Sequence, residues 1–167
     1  MPVEGAIIEY PTGKSINFLY FGNISEAVEP QYEEATVRGR SEEHIFYSHT
    51  SAATLPFAIT LAASVDEHDN GNAKKTWLDY LFIKSFGYPD YGVDNKGPVR
   101  PPKKAIITIG KWLRKLGVLR SINAEFQAPY DEDGLPMIIQ VTFNLRVINA
   151  APLSLYDVRA ARDRFND

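Results

Sequence analysis

The amino-acid sequence predicts a mainly β fold with some helix (α+β), on three observations. Leu55, Phe57, Ile59, Leu61, Ala63 and Val65 alternate with Pro56, Ala58, Thr60, Ala62 and Ser64, which sets the large side chains on one face of a strand. Ile122, Ala124, Phe126 and Ala128 alternate with Ser121, Asn123, Glu125 and Gln127. After turn chemistry at Tyr130-Asp131-Glu132-Asp133-Gly134, Ile139, Val141, Phe143, Leu145 and Val147 alternate with Gln140, Thr142, Asn144 and Arg146. Those two runs predict a hairpin with a longish loop. A single internal segment has helical spacing: Asn72 supplies an N-cap, Trp77, Leu78, Leu81, Phe82 and Ser85 recur on one face, and Lys74, Lys75, Asp79 and Lys84 serve the other.

The remaining elements follow in chain order. Ala6 to Tyr10 and Ser15 to Phe21 have strand composition, the latter apolar on both faces. Glu26 to Glu34 is acidic and holds Pro30, which predicts a loop, and Ala35 to Tyr47 predicts a strand pair around Arg38-Gly39-Arg40. Gly87 and Pro89 stop the helix, and a Pro- and Gly-dense loop runs from Tyr88 to Pro102. Loops of that length in compact domains tend to be functional or partner-contacting. Ala105 to Ile109 is a strand broken by Gly110, and Ser154 to Phe165 is expected to form a short helix after Pro152. The result is a barrel or sandwich with the central helix laid across it.

With 167 residues the chain is expected to be one domain spanning 1–167, with hydrophobic residues at 44% and charged residues at 23%, as in ordinary globular proteins. No cysteine is present, which excludes a disulfide scaffold, a thiolate metal site and a Cys nucleophile. The net charge of -3 disfavours a generally basic nucleic-acid binder. The first residues do not form a secretory signal, and no apolar run approaches the roughly 20 residues of a membrane-spanning helix. No cofactor and no membrane partner are expected.

Individual motifs are weak. Gly13-Lys14-Ser15 lacks the glycine a phosphate-binding loop needs five residues earlier, where Ile8 stands, so it reads as a turn. The three histidines are His44, His49 and His68. Asp66-Glu67-His68-Asp69 has the atoms for a cation but no second ligand cluster, so no metal site is assigned. No Gly-x-Ser-x-Gly elbow occurs, no catalytic pair stands out, and the chain is not expected to be an enzyme.

Charge distribution is more informative. Lys96, Arg100, Lys103, Lys104, Lys111, Arg114, Lys115 and Arg120 occur between Asn95 and Ala124 with no acidic residue, while Glu26, Glu29, Glu33, Glu34, Glu42 and Glu43 crowd the first third. Two solvated segments of opposite sign are the plain explanation. The functional alternative is head-to-tail self-association into a ring, and a nucleic-acid face is a third, weakened by the scarcity of interleaved aromatics.

Four segments then occur in a telling order: Tyr47-Ser48-His49-Thr50 through Leu55 to Leu61; Thr76-Trp77-Leu78 to Ser85-Phe86-Gly87-Tyr88-Pro89-Asp90-Tyr91; Pro101-Pro102-Lys103-Lys104 before Ile106 to Gly110; and Ala128-Pro129-Tyr130 to Gly134-Leu135-Pro136-Met137. Over roughly residues 35 to 160 the chain resembles the baseplate tail-tube initiator (tube-junction) proteins of contractile-tailed bacteriophages; residues 1–35 match the family poorly. The most specific pieces are the Tyr-Pro-Asp-Tyr helix ending and the Ala-Pro-Tyr to Gly-Leu-Pro-Met hairpin.

The resemblance implies a non-enzymatic virion protein with a tail-tube-protein-like β-barrel or β-sandwich, a flanking central helix and a short C-terminal helix. It implies a homo-oligomeric ring, a hexamer, between the baseplate hub protein and the tail tube protein or a second tube-junction ring. The ring would initiate tail-tube polymerisation, with the tape-measure protein as a further partner. Assembly would occur in the host cytoplasm. Some members append a peptidoglycan-binding LysM module; with the chain ending at Asp167, the form without it is expected. The expected ring contacts are Tyr88, Pro89, Asp90, Tyr91, Arg100, Lys103 and Lys104. Asn123, Glu125, Gln127, Gln140, Thr142, Asn144 and Arg146 would line a wet lumen or else an outer surface. The equivalent part of a phage-derived contractile injection particle is a close alternative. A small metal-dependent enzyme using His44, His49 and Asp66 to Asp69, or a nucleic-acid-binding module, are alternatives of another class.

Overall fold

The computed structural model describes residues 4–35, 44–63, 72–92 and 97–148. Its elements are β1 (Gly5–Tyr10), β2 (Ser15–Phe18), β3 (Tyr20–Phe21), β4 (Pro30–Ala35), β5 (His44–Thr50), β6 (Thr54–Ala62), α1 (Asn72–Ser85), β7 (Lys104–Ile109), β8 (Leu113–Tyr130) and β9 (Pro136–Val147). Seven strands form one antiparallel sheet in the order β2-β1-β7-β8-β9-β6-β3, and β4 pairs only with β5. The chain is therefore mainly β with one helix among the described residues. The expected segments Asp66 to Asp69 and Ser154 to Phe165 lie outside them.

The sheet must be rolled. β2 and β3 lie at opposite edges of the seven-strand order, yet Leu19 alone separates them in the chain. A flat sheet would set those edges about 29 Å apart at about 4.8 Å per strand step, far beyond the roughly 7 Å that two residues can span. The edges meet at Leu19, where the side chains of Phe18 and Phe21 contact edge-on with ring centroids 6.0 Å apart. This splits the single strand expected from Ser15 to Phe21 into two short ones. One stretch apolar on both faces can thus serve both rims of the roll.

Period-two alternation fills the interior. Ile7, Ile16, Phe18, Leu55, Phe57, Ile59, Ile107, Val141, Phe143 and Leu145 join one buried cluster, with Phe57 and Phe143 stacked at 5.4 Å. β8 and β9 form the expected hairpin, whose loop is held by Asp131: its Oδ1 accepts from Leu135 N at 2.6 Å, and its carbonyl accepts from Gly134 N at 3.0 Å. β8 starts earlier than the alternation from Ser121 suggests. Leu113, Gly117 and Leu119 point inward before Ser121, and Ile122 and Ala124 after it. The phase changes because β8 advances from Arg120 to Asn123 while β9 steps back only from Asn144 to Thr142; Ser121 sits in that bulge with φ 53°. Inside the roll, a side chain at Gly117 would collide with the Arg146 carbonyl.

Two further expectations are corrected. Glu26 to Glu34 is not all loop, because Pro30–Ala35 is a strand whose first residue is the proline, a position where its missing N–H is tolerated. The strand pair expected from Ala35 to Tyr47 is present as β4–β5, displaced toward both ends. The helix spans Asn72–Ser85 as expected, although the Asn72 side chain is not among those described. Its buried stripe, however, is Ala73, Thr76, Tyr80 and Ile83, continued by Phe86 just beyond the helix. Leu78 and Leu81 are 55% and 39% exposed, and Trp77 and Phe82 are half-buried. The segment carries apolar residues around most of its circumference. The face presenting Tyr80 and Ile83 is the one received by the core, where the Tyr80 and Trp77 rings meet Phe126 at 5.3 and 5.9 Å.

Candidate functional site

The seven polar hairpin residues come together. Asn123 stands opposite Thr142 and Glu125 opposite Gln140, while Asn144 and Arg146 continue the same outward row of β9. Gln127 stands opposite Ile138 on that face, half-buried. β6 extends the surface with residues the charge and motif arguments passed over: Thr54, Ala58 and Thr60 stand opposite Arg146, Thr142 and Gln140. The signal was present in the sequence, since Ala58 and Thr60 are small members of the Leu55 to Val65 alternation and Thr54 precedes it in the same phase. The face is held locally by Arg146 Nη1, which donates to Thr54 Oγ1 at 3.1 Å, and Asn123 Nδ2, which donates to the Ser121 carbonyl at 3.1 Å. It is a three-stranded wall of amides, hydroxyls and small side chains, able to hydrogen-bond water or a passing chain and poorly suited to covalent chemistry.

The expected ring-contact residues fall in two places. Asp90 and Arg100 close the long loop by exchanging backbone hydrogen bonds, Asp90 N to Arg100 O at 3.0 Å and Arg100 N to Asp90 O at 2.8 Å. Asp90 Oδ1 also accepts from Gly92 N at 2.8 Å, and Gly97 N donates to the Tyr91 carbonyl at 2.8 Å. The described parts of the loop, residues 88–92 and 97–102, are thus an internally bonded excursion from the helix end, with Tyr88, Pro89 and Tyr91 exposed, and residues 93–96 lie outside the described residues. Lys103 and Lys104 lie at its far end beside β1, with Lys104 opposite Tyr10.

Lys103 is engaged within its own chain. Its Nζ donates to Glu9 Oε1 at 2.9 Å, and Thr12 Oγ1 donates to the same oxygen at 2.6 Å. Burial opposes ionisation of Glu9, but these two hydrogen bonds and the nearby lysine charges outweigh it and hold the carboxyl below its ordinary range. Lys115, from the basic stretch, likewise meets Glu26 of the acidic third at 3.2 Å. Part of the charge separation is therefore satisfied within the chain itself. That tie pins the segment after β3, where Ile24 packs on the core and the Glu29 carbonyl accepts from Ser51 N at 3.1 Å.

A groove lies at the seam of the roll, lined by Phe18, Leu19, Tyr20, Lys75, Thr76 and Asp79 among others. Burial pushes the Asp79 carboxyl above its ordinary value, and the Lys75 ammonium partly offsets this. His49 lies on exposed β5, where its Nδ1 is 3.1 Å from Ser48 Oγ. Among the described residues no group of three or more His, Asp or Glu side chains is placed to hold a metal ion, and no helix is long and apolar enough to cross a membrane. No protein-family model matches the chain, and no curated protein matches it.

Proposed function

We propose that this chain is a structural ring subunit of a contractile-tail baseplate, in which identical copies join the central hub to the tail tube and start tube polymerisation. The observation that carries the reading is the outward wall of β6, β8 and β9. A tube subunit needs one broad face that is neither core nor sticky, and here Thr60, Ala58, Thr142, Gln140, Asn123 and Glu125 present such a face across three paired strands. In the proposed ring it lines the lumen, where amides and hydroxyls keep the channel wet and free of strong binding to what passes through. The resemblance to tube-initiator proteins supports the same role, because its four segments supply β5–β6, α1 with its following loop, β7 and the hairpin tip. The tail-tube-like arrangement, the six-fold ring and the virion location belong to this proposal.

The test is assembly. Full-length protein, alone and mixed with contractile-tail hub and tube proteins, is observed by mass photometry and negative-stain microscopy. Six-fold rings, or rings that seed tube growth, are the expected result. A chain that stays monomeric in every mixture and never enters tails or tubes overturns the proposal.

A further inference from the structure

The β4–β5 ribbon makes no ladder with the main sheet, and every residue on it whose burial is described is exposed except Ala35, which is half-buried. Ser51 N closes the ribbon's own base by donating to the Glu29 carbonyl, and the base is tied to the barrel through Glu26 to Lys115 on one side and Val147 N to the Ala53 carbonyl at 2.9 Å on the other, so it projects from a fixed root. A two-stranded ribbon alone is marginally stable in water. This one nevertheless carries Tyr32 opposite Tyr47, with ring centroids 6.0 Å apart, and Ile45 opposite Glu34 on the same face. Tyr32, Ile45 and Tyr47 are 58–62% exposed. A contiguous exposed apolar face with an acid beside it marks a contact surface.

The barrel offers a counterpart that adjoins the polar wall on β8, where Val118 stands opposite Arg146, and runs from there across β7 to β1. Ile8 stands opposite Ile106 and Ile106 opposite Leu116, with Val118 next on the same row of β8; all four point outward and are half-buried. Lys104, Arg114 and Arg120 flank them on the same face, exposed, and none forms an ion pair among the described residues. The seven residues of β5 and the seven from Arg114 to Arg120 each span about 23 Å. The ribbon face is apolar with acidic Glu34 on it, while Glu33 lies on the other face opposite Phe46; the barrel stripe is apolar with basic flanks.

We propose that the β4–β5 ribbon is an arm that docks on the β1–β7–β8 outer face of a second copy of this chain, Tyr32, Ile45 and Tyr47 covering Ile106, Leu116 and Val118. Such a contact is head-to-tail, so it propagates from copy to copy and closes when the rotation allows. It deepens the ring reading and rests on it only in requiring that copies associate.

The absence of native cysteine makes the test clean. A full-length variant with Ile45→Cys and Val118→Cys is oxidised and run on a non-reducing gel; a ladder of covalent oligomers is expected, with a dimer at most from either single variant. In parallel, Glu34→Lys and Arg114→Glu/Arg120→Glu are each expected to weaken self-association about tenfold or more, with an equal mixture of the two recovering most of it. Rings that form without the ladder and are indifferent to the charge reversals overturn the arm contact and leave the ring reading standing. A fast-migrating cross-linked monomer also overturns it, since the arm would then fold onto its own barrel. No association in any mixture overturns both.

Discussion

Truncating one apolar residue on each side of α1 tests which face holds the helix to the core. Ile83 is fully buried and joins the core cluster, whereas Leu78 is 55% exposed. Ile83→Ala removes three buried carbons, about 2.5 kcal/mol of transfer free energy, and the rigid strands around it leave part of the cavity unfilled, so the total comes to about 3–4 kcal/mol. Leu78→Ala removes as many carbons from a side chain still largely in water. It gains slightly in helix propensity, and should cost less than about 1 kcal/mol. Urea unfolding followed by circular dichroism, at one fixed protein concentration so that self-association does not shift the midpoint, reads the two differences directly. At roughly 2–4 °C per kcal/mol, a thermal melt should fall by about 10 °C for Ile83→Ala and barely move for Leu78→Ala. Equal costs, or a larger one for Leu78→Ala, would refute the placement of the helix.

Two further outcomes follow from local geometry. Ser121 holds a left-handed φ of 53°, which a β-branched side chain resists, so Ser121→Val should lower stability by about 2 kcal/mol while Ser121→Gly stays within about 1 kcal/mol of the native protein. Equal tolerance of both in urea titrations would count against the bulge. The Glu9 carboxyl, held below its ordinary range by Lys103 and Thr12, binds a proton less readily folded than unfolded. Its contribution is therefore present above the unfolded carboxyl value and is lost as pH falls through the lower folded value. Lys103→Ala should flatten that part of the acid-unfolding profile and cost on the order of 1 kcal/mol at neutral pH, discounted because the lysine is 42% exposed. An unchanged profile as pH falls through and below the ordinary carboxyl range would show that the pair does not contribute.

The polar wall was legible because alternation is a local property. Once Val141 and Phe143 are assigned inward, Gln140, Thr142 and Asn144 have no other face to occupy, and the same rule places Asn123 and Glu125 opposite them. The arm was not legible in that way. Tyr32 sits among glutamates and a proline, a mixture that reads as loop; Ile45 and Tyr47 fall in the expected strand pair, but only the absence of any ladder to the main sheet exposes both faces of the ribbon. The basic stretch divided for a similar reason. Sequence counts charges along the chain, while Lys103 and Lys115 find their carboxylates 94 and 89 residues away.

By itself, the order of residues determined the mainly β character, the inward and outward sides of the long strands, the helix bounds and the turns at Gly13 and Gly134. These depend on periodicity and backbone preference within a few residues. The tertiary structure alone decided that the sheet rolls until its edges meet at Leu19, that Ser121 reverses the phase of β8, and that Tyr80 and Ile83, not Leu78 and Leu81, face the core. Each of those outcomes turns on which distant surface is present to bury a side chain, and burial is a property of the assembled packing that no single segment contains.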